Sequence, residues 1–180
     1  MKEQGRVRIR EETPEDRKAI FDVNVQAFGR QDEALLIEAL RCSIESSGQK
    51  YPFISLVAEL DGQVVGHILF TQIHVEDGSL STPVLGLAPL AVFPEYQKRG
   101  IGSQLVRSGL AWCSGTEYPA VVVLGHPDYY PRFDFLPAVR FGIRASFPGA
   151  EEALMVYELK PRALAGIKGT VIYPQEFEGI

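Results

Sequence analysis

A chain of 180 residues has room for a sizeable core, and residues 1–180 are expected to form one domain. Hydrophobic residues make up 46% and charged residues 23%, the balance of a globular protein rather than a disordered or fibrous one. The net charge of −5 argues against broad binding to nucleic acid or to an anionic membrane surface, while leaving room for a local basic site.

Cys42 and Cys113 are far apart and belong to no Cys-x-x-Cys pair or histidine cluster. They are expected to be unpaired thiols, with no metal bound. The first 17 residues contain no apolar core of a signal peptide, and no apolar run is long enough to span a bilayer, so a soluble cytoplasmic protein is expected.

In chain order, residues 6–10 alternate charge with Val7 and Ile9, the pattern of a half-buried strand. Thr13-Pro14-Glu15-Asp16 signals a helix start: threonine can cap, proline fits the first turn and acids suit the dipole. That helix runs to about Phe28, with Ile20, Val23 and Ala27 on one face, and Gly29 ends it. Residues 31–44 read as a second helix with Leu36, Leu40 and Ile44 aligned, and residues 46–50 as a polar loop. Residues 53–60 and 63–75 are apolar, β-branched runs joined by Asp61-Gly62, a hairpin signal. Gly66 inside the second run predicts a bulge or close packing. A turn over 76–79 leads to a strand over 85–93, bounded by Pro83 and Pro94. A turn at 95–100 then opens a helix from Ile101 to about Cys113, with Ile101, Leu105 and Trp112 in a stripe beside Val106 and Leu110. Residues 120–124 form a short buried strand, parallel to the strand before the helix by a right-handed crossover. Gly125-His126-Pro127 breaks the run. A short helix over 128–133, strands over 135–141 and 154–160, and an irregular or weakly β tail over 163–180 complete the chain. The fold class is α/β, an α+β mixed sheet with helices on its faces, in the order β-α-α-β-β-β-α-β-α-β-β.

The chemistry concentrates in Gln97-Lys98-Arg99-Gly100-Ile101-Gly102, two cations and two glycines where a helix begins. First-turn amides have no partner within their helix, and the helix dipole places positive potential there. The amides from Gln97 to Ser103 therefore suit a phosphate or pyrophosphate, with charge-assisted contacts from Lys98 and Arg99 and a hydroxyl from Ser103. Taken alone, the turn suits an ordinary helix start equally well. It is neither a Rossmann fingerprint, since Leu105 stands where a third glycine would be, nor a phosphate loop, which needs Gly-Lys-Ser/Thr.

The wider pattern V-x-P-x-x-Q-x-x-G-x-G, carried by Val92, Pro94, Gln97, Gly100 and Gly102, resembles the acetyl-CoA signature of the GCN5-related N-acetyltransferases (GNAT). Strand, proline, turn and helix follow in that family's order, and the element order looks like its acyl-CoA N-acyltransferase fold. Residues 124–135 and 153–177 resemble the superfamily's YhbS-like branch. The resemblance implies acetyl-CoA as co-substrate, an amine acceptor and no metal. The pyrophosphate would lie on Gln97, Lys98, Arg99, Gly100, Ile101, Gly102 and Ser103, and the pantetheine arm on the strand edge at Leu90, Ala91 and Val92, added as a peptide is in β-augmentation. Pro89 fits a bulge or an exposed edge, or is an ordinary edge proline. A main-chain amide such as that of Val92 would receive the oxyanion.

Tyr130 is the candidate general acid for the departing CoA thiolate. It lies in Tyr130-Pro131-Arg132-Phe133-Asp134-Phe135, which resembles the family's Y-x-K/R-x-G-F segment with aspartate in place of glycine. Aspartate tolerates the left-handed conformation that glycine would supply. The base is open. Many members carry an acid on the fourth strand, but residues 84–93 contain no acid and no histidine. His126 reads as a turn cap, and His74 and Glu59 as structural or solvated strand residues. Glu33 and the first two helices would border the acceptor site by resemblance. An acyl-CoA-binding or regulatory module of the same fold without significant turnover is the alternative, and a nucleotide site a weaker one. The acceptor amine, acyl-chain preference and oligomeric state, homodimer included, are not legible.

Overall fold

The structure is a computed structural model that describes residues 5–48 and 52–180. Its strands are β1 (Arg8–Glu11), β2 (Phe53–Leu60), β3 (Gln63–Asp77), β4 (Leu80–Val92), β5 (Ala120–Leu124), β6 (Leu136–Pro137), β7 (Ile143–Arg144), β8 (Leu154–Glu158) and β9 (Gly169–Ile172). Its helices are α1 (Arg17–Phe28), α2 (Asp32–Ser47) and α3 (Ile101–Ser114). Strands hydrogen-bond in the order β1-β2-β3-β4-β5-β8-β6, and β9 pairs with both β3 and β7. The result is a mixed α/β fold with a mostly antiparallel sheet, and β3 and β4 each contribute to two compact units.

The first unit holds the described residues through Leu69, with Pro89–Gly109 and Gly179–Ile180. β1 runs antiparallel to β2, with Arg8 opposite Glu59 and Glu11 opposite Leu56. The helix-start signal at Thr13 is real but opens a 3-10 turn, Pro14–Asp16, before α1 begins. Asp16 Oδ2 accepts from the Thr13 amide at 2.8 Å, the Thr13 hydroxyl at 3.1 Å and Arg10 Nη1 at 2.6 Å. Arg10 Nε also donates to Glu59 at 2.7 Å, so one guanidinium joins β1, β2 and the turn. The Arg10 partner, followed by the threonine donors, holds the Asp16 carboxyl below its ordinary range against a smaller opposing effect of burial. Gly29 and Gly48 end α1 and α2 in the left-handed conformation. Ile20 and Val23 of α1 and Ala34, Leu36, Ile37 and Leu40 of α2 are buried, whereas Ala27 and Ile44 are half-buried. α2 therefore takes Ser46 and Ser47 from the loop expected over 46–50, and Gln49 and Lys50 lie outside the described residues. Asp61 and Gly62 both have positive φ, 50° and 79°, the primed turn that joins β2 to β3. Gly66 serves close packing: a Cβ there would lie 3.0 Å from Leu105 Cδ1, 3.2 Å from the Ala91 carbonyl oxygen and 3.4 Å from Ala58 Cβ.

The second unit holds Phe70–Ala88 and Leu110–Glu178. Its core gathers Ile73, Val75, Val84, Ala120, Val122, Ala138, Ile143, Leu154, Val156, Leu164 and Val171. β4 and β5 are parallel, as the single intervening helix requires, with Leu85 opposite Val121 and Leu87 opposite Val123. β4 starts at Leu80, so Pro83 lies inside the strand rather than at its boundary. It is exposed and precedes the first β5 pair at Leu85.

Residues 135–141 are not a strand. Only Leu136–Pro137 pairs with β8, and Ala138–Phe141 is a 3-10 helix closed by Gly142 at φ 71°. The buried Phe135 and Ala138 and the half-buried Phe141 recur every third residue, the period of a 3-10 helix and not of a strand. β7 follows at Ile143–Arg144, and the tail forms β9, with Val171 opposite Val75. Trp112 is exposed rather than part of the α3 stripe; Leu105, Val106, Gly109 and Cys113 occupy that buried face. Trp112 falls at the border of the buried arc in the last turn. Cys42 is exposed, Cys113 is buried and both are free thiols; burial pushes the Cys113 thiol up to about 12.

Candidate active site

In the first unit the glycine turn is built from the end of β4. The Phe93 amide donates to Val65 O of β3 at 3.0 Å, so Phe93 faces β3 and, by strand alternation, Val92 and Leu90 turn their main-chain groups the other way. Gln97 Nε2 donates to the Val92 carbonyl at 3.0 Å, ties the turn back to the strand and occupies that acceptor. A 3-10 turn at Pro94–Tyr96 carries the chain across, and the Gln97 amide donates to Pro94 O at 3.3 Å. The amides left without a backbone partner therefore begin beyond Gln97, whose side chain ties the turn to β4.

Lys98 and Gly100 have φ of 60° and 79°, which bends the chain sharply into α3. At Gly100 a Cβ would meet nothing within 4 Å, so its surroundings are open. Gln104 is the first residue whose amide bonds back, to Gly100 O at 3.0 Å. The amides of Ile101, Gly102 and Ser103 are thus the unpaired first-turn donors. The Ile101 side chain is buried and anchors the helix, while Gly102 and Ser103 are half-buried. Lys98 and Arg99 are exposed beside this turn, and the Arg99 guanidinium lies over the Tyr96 ring at 5.3 Å. On β4, Ala91 and Val92 are buried and Leu90 is half-buried.

Tyr130 belongs to the second unit. It opens a 3-10 helix, Tyr130–Phe133, that ends at Asp134 with φ 67° and ψ 19°. The aspartate thus adopts the left-handed conformation that a glycine would supply. The Tyr130 ring meets Tyr129 edge-on at 5.1 Å and Phe135 at 5.5 Å, and Phe135 lies 5.5 Å from Tyr157. Burial first, then the neighbouring Tyr129, raises the Tyr130 phenol well above its ordinary value. It carries its proton throughout the neutral range.

A sequence model described as the Acetyltransferase (GNAT) family matches residues 17–132. The chain belongs to the GNAT acetyltransferase family. The N-acetyltransferase YhbS of Escherichia coli is 36% identical over 170 residues, which cover 94% of this chain and 97% of YhbS. YjhQ, another E. coli N-acetyltransferase, is 41% identical over 139 residues, 76% of this chain and 74% of YjhQ. The crystal structure of E. coli YhbS in complex with CoA superposes with a TM-score of 0.86 at 34% identity, covering 98% of this chain and 94% of that one. A GNAT acetyltransferase from Brucella melitensis in complex with acetyl-CoA gives 0.75 at 31% identity, covering 97% and 99%. The fold and the acyltransferase class are those of the GNAT family.

Glu59 is the ion-pair partner of Arg10. His74 sits opposite Ile172, with its Nε2 3.3 Å from Gln72 Nε2. His126 is exposed after β5 and its carbonyl accepts the Tyr129 amide at 3.0 Å. Glu33 is buried at the start of α2, paired with Arg30. Among the described residues no group of three His, Cys, Asp or Glu side chains could hold a metal ion, and no helix is long and apolar enough to cross a membrane.

The sequence reading passed over His67, which is wholly buried in β3. Its Nδ1 lies 3.3 Å from Asn24 Nδ2, which also donates to Ile20 O at 2.8 Å. Nδ1 is therefore the acceptor, and Nε2–H donates to Ser55 Oγ at 2.9 Å. Ser55 in turn donates to Glu12, which receives Arg41 Nη2 at 2.7 Å. Burial first, then the nearby Arg41 charge, pushes the His67 pKa down to about 3. The signal was an imidazole flanked by Val64, Val65, Gly66, Ile68, Leu69 and Phe70, with no polar neighbour within three residues along the strand.

Proposed function

We propose that the chain transfers the acetyl group of acetyl-CoA to a primary amine of a small molecule or protein. Residues 1–180 would act as one cytoplasmic acetyltransferase domain without a metal. The observation that carries this is the turn held by Gln97, with the unpaired amides of Ile101, Gly102 and Ser103 beside the cations Lys98 and Arg99. The CoA and acetyl-CoA in the YhbS and Brucella structures support the same ligand here. The pyrophosphate would lie on the turn, and the pantetheine amides along Leu90, Ala91 and Val92. Val92 turns its N–H away from β3 and so is the natural oxyanion donor, while its carbonyl stays with Gln97.

The neutral amine attacks the thioester carbon and the carbon–sulfur bond breaks. The positive nitrogen of the tetrahedral intermediate loses a proton to solvent and becomes the amide, Tyr130 gives its proton to the departing sulfur, and the phenolate then takes one back from solvent. A free lysine-type amine with pKa ~10.4 is mostly charged at neutral pH, so a water chain or an already neutral acceptor must supply the free base. β4 holds no acid or histidine for that step, and this favours a second reading, a CoA-binding module without turnover.

Calorimetry with acetyl-CoA, with ATP and NAD as controls, tests the first claim. Micromolar binding without response to the controls supports it, and no binding by folded protein removes it. Tyr130→Phe then separates the two readings: an enzyme keeps its acetyl-CoA affinity and loses turnover, whereas a module shows no turnover to lose.

A further inference from the structure

Gly125 follows β5 directly, and its backbone does not adopt the positive φ that calls for glycine. The demand there is for space. A Cβ on Gly125 would lie 2.3 Å from Cε2, 2.8 Å from Cδ2 and 3.3 Å from Cζ of Tyr130. Three adjacent atoms of the phenol ring, Cε2 nearest, thus stand where a side chain at Gly125 would begin.

Neither partner has slack. The Gly125 amide donates to Ala153 O at 2.9 Å, which pins the backbone to the segment entering β8. The ring is backed by Tyr129 and Phe135, and Phe135 by Tyr157. The Tyr129 and Tyr130 amides both reach His126 O, at 3.0 and 3.5 Å, so the turn that carries the ring is tied to the residue after Gly125. Ordinary contact for a Cβ begins near 3.4 Å, and 3.4 − 2.3 leaves 1.1 Å that the ring edge must move if a methyl is added.

We propose that Gly125 is a positioning residue for Tyr130: its missing side chain sets where the phenol hydroxyl sits. The proposal rests on the reading of Tyr130 as general acid, and it names the local feature that aims that acid. A displacement of about 1 Å in a reacting group costs on the order of 10²-fold in rate. Gly125→Ala should therefore lower kcat by 10- to 100-fold and leave acetyl-CoA affinity within twofold.

The test uses wild type, Gly125→Ala, Tyr130→Phe and the double variant, each labelled with 3-fluorotyrosine. The 19F resonance lost in Tyr130→Phe identifies Tyr130. Gly125→Ala should shift that resonance and leave those of tyrosines outside the cluster in place; an unmoved resonance overturns the proposal. Turnover is followed as free thiol released from acetyl-CoA with spermidine, kanamycin or a lysine-containing peptide as the amine probe, and acetyl-CoA affinity by calorimetry. If Gly125 acts through the hydroxyl, Gly125→Ala costs 10- to 100-fold in wild type and no more than twofold in the Tyr130→Phe background. Equal losses in both backgrounds overturn the proposal. A shifted resonance with full turnover in Tyr130→Phe overturns the acid reading instead, while the ring contact stands. If Gly125→Ala does not fold, the contact is read with Tyr130→Leu: Gly125→Ala/Tyr130→Leu should then fold as well as Tyr130→Leu, and an equal failure overturns the proposal.

Discussion

His67 makes a quantitative claim about acid stability. It is wholly buried, neutral and held between Asn24 and Ser55, with its pKa pushed down to about 3. In the unfolded chain it titrates near ~6.5. The unfolded state thus binds a proton below that value and the folded state does not, so stability is full above pH 6.5 and falls as pH drops toward 3. Each pH unit inside this window removes about 1.4 kcal/mol, and the loss between pH 7.5 and pH 5 is about 2 kcal/mol. The span from pH 7.5 to 5 lies above the ordinary aspartate range, and the lowered pKa of Asp16 keeps that carboxylate ionised across it. His67→Gln removes the titration, though its amide will not satisfy both Ser55 and Asn24, so it should be less stable at pH 7.5. Urea unfolding of wild type and His67→Gln at pH 7.5, 6 and 5 gives the assay. The stability gap should narrow by about 2 kcal/mol from pH 7.5 to pH 5. A gap that stays constant would refute the reasoning, because the imidazole would then take up its proton inside the fold.

Further outcomes bear on the turn and the packing. Gly102→Glu puts an acid in the first turn of α3, where the dipole favours it, so the melting temperature should hold while acetyl-CoA affinity falls at least tenfold by calorimetry; unchanged affinity would remove the glycine turn from the cofactor site. Gly66→Ala places a methyl 3.2 Å from the Ala91 carbonyl and 3.0 Å from the wholly buried Leu105, and overpacking should cost about 1–3 kcal/mol in urea unfolding. Stabilisation instead would mean that β3 has room at that point. Arg41→Met strips Glu12 and Glu38 of their cation and removes a guanidinium 5.4 Å from the Phe53 ring; breaking such a partly buried pair should cost roughly 3 kcal/mol, and a loss near zero would show that water already satisfies Glu12.

Much of this protein was legible in one dimension because local rules act over a few residues. Asp61-Gly62 set its hairpin since both positions need positive φ, and Gly29 stopped α1 for the same reason. The bounds of β2 and β5 followed from apolar runs between turn residues. The glycine turn was visible as a motif, and Asp134 as a tolerable left-handed residue. Where two periods compete, the reading failed: residues 135–141 are as apolar as a strand, but Pro137 and a three-residue spacing turn them into a 3-10 helix.

Other features are properties of contact and have no local signature. That the Gln97 side chain ties Val92 and its amide goes to Pro94 depends on how the turn folds back on β4. The course from Asn24 through His67 and Ser55 to Glu12 joins residues 43 and 12 positions apart, and only packing around a desolvated imidazole could give it a direction. Gly125 reads in sequence as a chain-breaking glycine, yet the Tyr130 ring stands where its side chain would be. The sequence alone therefore determined most of the elements, the family resemblance and the glycine turn, which arise from short-range backbone chemistry. The tertiary structure decided which polar groups are already spent on each other and which side chains have no room to move, because burial and close contact exist only once distant segments meet.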